Sequence, residues 1–216
     1  MPNNFSVYLI LWGLLQLLVE VNCQMTPFKP TIASSVCLNG IMYLWGGMSG
    51  DLFSNDMLIL DTINLNWKEG SLIKAPTPRC QYGATLLPNN NIIYLGGNDE
   101  NLTFDPKTLA IDNMGTALTL SEVYIYDTIH DNWTTKKAVG KIPPNRAGFS
   151  TVLGLDGLTV IIFGGYFNDP GYLDPALYVL DLTHFTWYVP KVSGIIPSPR
   201  VWHKANVIGK YMVISF

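Results

Sequence analysis

Short apolar runs, separated by turn residues, make up most of the chain. "IMYLW", "IIYL" and "TVIIF" are each followed by a pair of glycines, and "MLILD", "VYIYD" and "LYVLD" each end in aspartate. Runs of about four to eight β-branched, aromatic and aliphatic residues between Gly, Pro, Asn or Asp clusters are typical of β-strands. The pattern predicts an all-β domain built from many short strands.

The aspartate-ending runs begin three segments that align without a gap. They are "MLILDTINLNW" (57–67), "VYIYDTIHDNW" (123–133) and "LYVLDLTHFTW" (177–187). A glycine pair precedes each segment and a proline-containing stretch ending in arginine follows it. The repeat markers are Gly46, Gly47, Gly96, Gly97, Gly164 and Gly165; Asp61, Asp127 and Asp181; Trp67, Trp133 and Trp187; Arg79, Arg146 and Arg200. The arginines recur after 67 and 54 residues, and a period of roughly 50 residues points to a propeller array.

This order of strand, Gly-Gly, strand ending in Asp, Trp and then Pro-Arg resembles the kelch repeat, over about residues 29–216. The resemblance implies a kelch-type β-propeller with four-stranded antiparallel blades around a central axis. Blades are expected at about 31–69, 80–136 and 147–190, with the start of a fourth at 201–216. The first unit departs from the pattern, since "PFKP" makes Lys29 only a loose counterpart of the arginines.

Each marker has a structural role that requires no catalysis. Paired glycines allow close approach of neighbouring backbones, and aspartates can close the turn between the third and fourth strands by accepting hydrogen bonds from the following backbone. The tryptophans are expected to pack between blades. By the resemblance, the arginines lie near the mouth of the central channel, where they either pair with carboxylates and carbonyls or recognise a partner.

The N-terminal segment predicts entry into the secretory pathway. The apolar run Val7–Val19 is too short to span a membrane, and cleavage after Cys23 is expected, giving a signal peptide at 1–23 and a propeller at 24–216. An uncleaved anchor or a buried segment are the alternatives. An extracellular or cell-surface location would make Asn101 and Asn132 glycan acceptors. Cys37 and Cys80 either pair or stay free, and two free buried thiols are favoured.

Composition and candidate chemistry argue for binding rather than catalysis. A net charge of −3 with 48% hydrophobic residues excludes a nucleic-acid-binding or disordered chain. His130, His184 and His203 have no spacing suited to a metal site, and no cofactor is expected. An extracellular copper radical oxidase similar to galactose oxidase, which uses a kelch-like propeller, is the enzymatic alternative, but the histidines, cysteines and tyrosines offer no matching set.

Recognition is expected on the face formed by the long loops between second and third strands and the connections between blades. Loop residues on a rigid scaffold commonly carry binding. With the three arginines, the candidate binding residues are Phe53, Phe104, Tyr166, Phe167 and Tyr172. The sequence thus predicts a secreted or cell-surface module that binds an unidentified protein or glycan.

The last residues predict an open ring. "VWHKANVIGKYMVISF" supplies two strands of a fourth blade, whereas propellers typically close with about 4 to 8 blades. The expectation is a fragment of a longer propeller, or a chain that associates with another copy through its open edges.

Overall fold

The computed structural model describes residues 33–49, 52–99, 103–105, 110–113, 117–166 and 176–215. Every regular element in these ranges is a β-strand. In chain order the strands are β1 (Ser34–Leu38), β2 (Ile41–Trp45), β3 (Met48–Ser49), β4 (Leu52–Phe53), β5 (Met57–Asp61), β6 (Asn66–Glu69), β7 (Gly83–Leu86), β8 (Asn91–Leu95), β9 (Thr103–Asp105), β10 (Ala110–Asn113), β11 (Glu122–Asp127), β12 (Asn132–Lys137), β13 (Val139–Gly140), β14 (Ser150–Leu153), β15 (Thr159–Phe163), β16 (Leu177–Asp181), β17 (Thr186–Tyr188), β18 (Lys204–Ile208) and β19 (Tyr211–Ser215).

Three four-stranded antiparallel sheets form the blades, which confirms the predicted fold class. Blade one has the order β1-β2-β5-β6, blade two β7-β8-β11-β12 and blade three β14-β15-β16-β17, and β18 pairs with β19 to begin a fourth. β13 adds a fifth strand to blade three beside β17. None of the described segments forms a helix long and apolar enough to cross a membrane. The predicted signal peptide and Lys29 lie outside the described residues.

Two hydrophobic clusters fill the spaces between the blades. Between blades one and two, Trp133 has its ring centre 5.2 Å from that of Trp45 and 5.0 Å from that of Tyr126. Between blades two and three, Trp187 packs with Val123, Leu180 and other aliphatic residues. Both indoles are at least 98% buried, at 2% and 1% exposure, so each tryptophan packs against the blade that precedes its own.

The turns from the third to the fourth strand close on an aspartate in every blade. Asp127 Oδ1 accepts hydrogen bonds from the N–H groups of Ile129 and His130, at 2.9 and 3.0 Å, and Asp127 Oδ2 lies 2.8 Å from His130 Nδ1. Asp61 and Asp181 accept equivalent backbone bonds. These bonds lower the pKa of the Asp61 and Asp127 carboxyl groups, and the pKa of Asp181 is lowered by its hydrogen bond with His184 and then by the backbone bond. The spacing of six residues from Asp to Trp therefore corresponds to one turn, which the aspartate carboxylate closes.

The glycine pairs bring adjacent blades into backbone contact. The second glycine of each pair donates its N–H to the carbonyl of the next blade's arginine: Gly47 to Arg79 at 2.9 Å, Gly97 to Arg146 at 3.1 Å and Gly165 to Arg200 at 2.9 Å. A Cβ on Gly96, which has a φ of +56°, would lie 2.7 Å from the Arg146 carbonyl oxygen. Only glycine allows this approach without displacing the next blade.

Two residues of blade one differ from the sequence prediction. Trp67 is only half-buried, and Cys37 is exposed rather than buried. Both lie in blade one, and none of the described residues forms a blade that packs against the face of blade one turned away from blade two. Cys80 is free and buried, as favoured, and burial raises its thiol pKa to about 12.

Candidate interaction site

Three equivalent tetrads precede the innermost strands β7, β14 and β18. They are "RCQY" (79–82), "RAGF" (146–149) and "RVWH" (200–203). The third residue of each tetrad has left-handed backbone, with φ of 55° at Gln81, 66° at Gly148 and 55° at Trp202. The Gly148 N–H donates to the Gln81 carbonyl at 2.9 Å, and the Trp202 N–H donates to the Gly148 carbonyl at 2.8 Å. These bonds link consecutive blades around the axis.

The third residues hold a polar cluster, here named the Gln81 cluster: Gln81, Asn98, Tyr166 and Trp202. Gln81 Oε1 accepts hydrogen bonds from the Tyr166 hydroxyl at 2.8 Å and from Trp202 Nε1 at 3.2 Å. Asn98 Nδ2 donates to the Tyr166 hydroxyl at 3.0 Å. Asn98 and Tyr166 are buried, whereas Trp202 is 45% exposed. The cluster therefore fixes an indole that presents much of its surface to solvent.

Two residues of the Gln81 cluster, Gln81 and Trp202, have left-handed backbone. This φ is uncommon for residues other than glycine, and eight described non-glycine residues adopt it. At Gln81 and Trp202 the conformation is held by the inter-blade hydrogen bonds and by the shared Gln81 side chain.

The first two arginines of the tetrads act within the scaffold. Arg79 Nη1 donates to the Gly96 carbonyl at 3.2 Å, and Arg146 Nη1 donates to the Gly164 carbonyl at 3.1 Å. Their guanidinium groups also lie over tyrosine rings, 4.9 Å from the ring centre of Tyr124 and 5.0 Å from that of Tyr178. Both arginines are at least 96% buried, at 4% and 1% exposure, so pairing within the scaffold is the role that the contacts support. Burial lowers the pKa of Arg79, and Tyr124 opposes this effect.

The remaining candidate binding residues divide among several environments. Arg200 is half-buried, with Nε donating to the Ser198 carbonyl at 3.4 Å. Phe53 is half-buried in β4. Tyr166, expected as an exposed loop aromatic, is 1% exposed because its hydroxyl joins the Gln81 cluster. Phe104 lies in β9, and its side chain is not among those described; Phe167, Tyr172 and Asn101 lie outside the described residues.

The histidines and acidic residues form no metal site in the part of the chain that the structure describes. His130 and His184 contact the turn aspartates. His203 is buried between blade three and β18, with Nε2 2.9 Å from Ser150 Oγ and its ring against Phe163. Each of these contacts stabilises a turn or a blade interface.

Sequence reasoning did not identify Gln81, Asn98 or Trp202. A signal was present, because each lies at a fixed distance from a repeat marker: two residues after an arginine, or directly after a glycine pair. Convergence on Gln81, however, depends on distances that the repeat spacing does not contain.

A groove of about 400 Å³ opens at the opposite end of blades two and three. Its apolar wall includes Ile125, Leu182 and Phe185, and Asp156 is its charged residue. The Asp156 carboxylate accepts hydrogen bonds from the N–H groups of Leu158 and Thr159, which fold the turn. The sequence analysis placed binding on the other face and did not predict this groove.

Comparison with known proteins supports the kelch interpretation. The family model of the KLHDC2/KLHL20/DRC7 Kelch-repeats domain matches residues 111–215. Kelch domain-containing protein 3 from Homo sapiens is 38% identical over 101 residues, covering 43% of this chain and 26% of that protein. Host cell factor from Drosophila melanogaster is 29% identical over 190 residues, covering 80% of this chain and 12% of that protein.

A solved structure supports the fold independently. The structure of YjhT matches with a TM-score of 0.60 at 14% sequence identity, covering 86% of this chain and 58% of that chain. Acyl-CoA-binding domain-containing protein 4 from Arabidopsis thaliana is 28% identical over 185 residues, covering 81% of this chain and 25% of that protein. The chain thus spans about a quarter or less of the curated relatives named here, and the resemblance to kelch-repeat propellers is confirmed.

Proposed function

Because the chain is a kelch-repeat β-propeller, we propose that it is a non-catalytic interaction module whose binding surface is centred on the Gln81 cluster. The observation that carries this proposal is the indole of Trp202, 45% exposed and fixed at the axis by Gln81. A rigid, half-exposed aromatic anchor with few rotatable bonds is well suited to contribute binding energy.

The chemistry around Trp202 favours a partner with an apolar group beside a hydrogen-bonding group. The indole ring offers a flat apolar surface, and the amide of Gln81 lies next to it. A protein side chain or a sugar ring fits this combination, and we favour a protein segment.

We further propose that the module acts in the secretory pathway or at the cell surface, on the basis of the Val7–Val19 run and the polar residues after it. Intact-mass measurement of secreted material tests this part separately. Recovery of the protein in a membrane fraction with Met1–Cys23 still attached would contradict cleavage. Digestion with a glycosidase would test glycan attachment at Asn101 and Asn132.

Site-specific photocrosslinking tests the binding surface. A photoreactive amino acid replaces Trp202 in one variant and Ile129, which is 67% exposed in the turn after β11, in the control. Crosslinks from position 202 to a partner, competed by unmodified protein, are the expected result. Efficient crosslinking only from position 129 would move the binding surface to the opposite end, and a glycan array with the same protein would reveal a sugar ligand.

A further inference from the structure

In blade three, another segment of the same chain is already added beside the outer strand of the sheet. β13 runs parallel to β17, with Val139 opposite Thr186 and Gly140 opposite Trp187. The Val139 N–H donates to the Phe185 carbonyl at 2.9 Å, and the Lys141 N–H donates to the Trp187 carbonyl at 2.8 Å. The outward backbone edge of a fourth strand in this fold therefore accepts an added parallel strand.

The equivalent strand of blade two, β12, is longer and lies at the edge of its sheet. The linker from blade one contacts its beginning: Ser71 donates its N–H to Asp131 Oδ1 at 2.7 Å and accepts a hydrogen bond from Trp133 Nε1 at 2.9 Å. The linker then turns, with the Ala75 N–H donating to the Leu72 carbonyl. The side chains of 134–137 are all exposed.

The register shows which backbone groups of β12 face outward. The Ala138 N–H donates to the Ser121 carbonyl, on the side of β11, at 2.7 Å. Successive residues of a strand point their backbone groups to opposite sides. The N–H and C=O groups of Thr134 and Lys136 therefore face β11, whereas those of Thr135 and Lys137 point away from it. The Trp187 carbonyl, at the position equivalent to Trp133, has the same outward direction.

Charge selects the kind of strand that can bind here. Lys136 and Lys137 end β12, so a parallel strand would meet two positive charges along its C-terminal half. Lysines on an edge strand commonly discourage pairing, and here they repel a second copy of the same edge while attracting carboxylates. Added-strand recognition obtains affinity from backbone bonds and selectivity from side chains.

We propose that the outer edge of β12 (Asn132–Lys137) binds an extended segment of a partner protein, acidic in its C-terminal half, as an added parallel strand. This surface is separate from the Gln81 cluster. Failure of one proposal therefore does not decide the other.

A fluorescein-labelled peptide, Thr-Val-Thr-Val-Glu-Val-Glu, is the probe, titrated with the whole chain at low ionic strength and followed by fluorescence anisotropy. Thr135→Pro removes an outward N–H and leaves the bonds to β11 in place, so it should weaken binding at least about tenfold. Thr135→Val keeps the N–H and should stay within about twofold of wild type. Thermal melts establish that both variants are folded.

Two further binding experiments do not depend on the proline variant. A peptide N-methylated at successive residues has no N–H donor on either edge, and it should lose binding to the unmodified protein. Lys136→Glu with Lys137→Glu should weaken binding of the acidic peptide and favour a peptide with lysine in place of glutamate. Absence of saturable binding up to about 1 mM, equal binding of the N-methylated peptide, or indifference to charge reversal would each overturn the proposal.

Discussion

At the scale of single residues, the place of a residue in the repeat does not determine how deeply it is buried or how much it stabilises the fold. Trp67 and Trp133 occupy the same place in the repeat, but Trp133 is 2% exposed and contacts three aromatic rings, whereas Trp67 is half-buried. Trp133→Ala should cost about 3 to 5 kcal/mol of unfolding free energy, the usual cost of emptying a large aromatic site. Trp67→Ala should cost less than half of that, because it vacates less buried volume. Chemical denaturation compares the two directly, and equal losses would refute the assignment by burial.

A second residue-scale prediction concerns pH and the interface at His203. Burial lowers the His203 pKa from 6.5, Arg200 and Lys204 lower it further, and the Phe163 backbone opposes them. A histidine whose pKa is lower in the folded state binds fewer protons there than in the unfolded state. Its stability contribution is complete above about pH 6.5 and is lost as the pH falls toward the folded pKa.

The melting temperature of the wild-type protein should therefore fall more between pH 7 and pH 5.5 than that of His203→Gln, which carries no titrating group. A His203→Gln profile parallel to wild type would mean that this interface does not sense protons.

At the scale of elements, the turns before the outer strands contain backbone strain that a glycine substitution can relieve. Leu65, Asp131 and Phe185 occupy the same turn position, two residues before each tryptophan, with φ of 55°, 52° and 50°. A non-glycine residue in this conformation costs about 1 kcal/mol. Leu65 is 46% exposed, so Leu65→Gly should stabilise the protein by about 0.5 to 1 kcal/mol.

Phe185→Gly provides the matched contrast. Phe185 is half-buried and packs against the cluster between blades two and three, so the loss of packing should exceed the relief of strain, and the variant should be less stable than wild type. Thermal or urea denaturation measures both. A destabilised Leu65→Gly would show that its side chain has a packing role.

At the scale of the whole molecule, we predict self-association from the exposed apolar surface on β18 and β19. Ile208, Tyr211 and Val213 are 61%, 64% and 41% exposed, and this two-stranded sheet presents apolar groups that propeller blades normally cover. The chain, at 24.0 kDa, should therefore elute at a concentration-dependent mass above that of a monomer. Size-exclusion chromatography with light scattering measures this, and Tyr211→Lys with Val213→Lys should shift the protein toward the monomer. A concentration-independent monomer in the unmodified chain would refute it.

The sequence by itself determined the strand order, the turn positions and the kelch-type blade. These features follow from alternation over a few residues, from glycine pairs and from turn aspartates, all of which act on their neighbours in the chain. The tertiary structure decided which markers are buried and which polar groups meet. Gln81 and Trp202 are 121 positions apart, and Trp67 differs from Trp133 only through the blade packed beside it. Such contacts depend on how blades stack around the axis, which a local repeat does not specify.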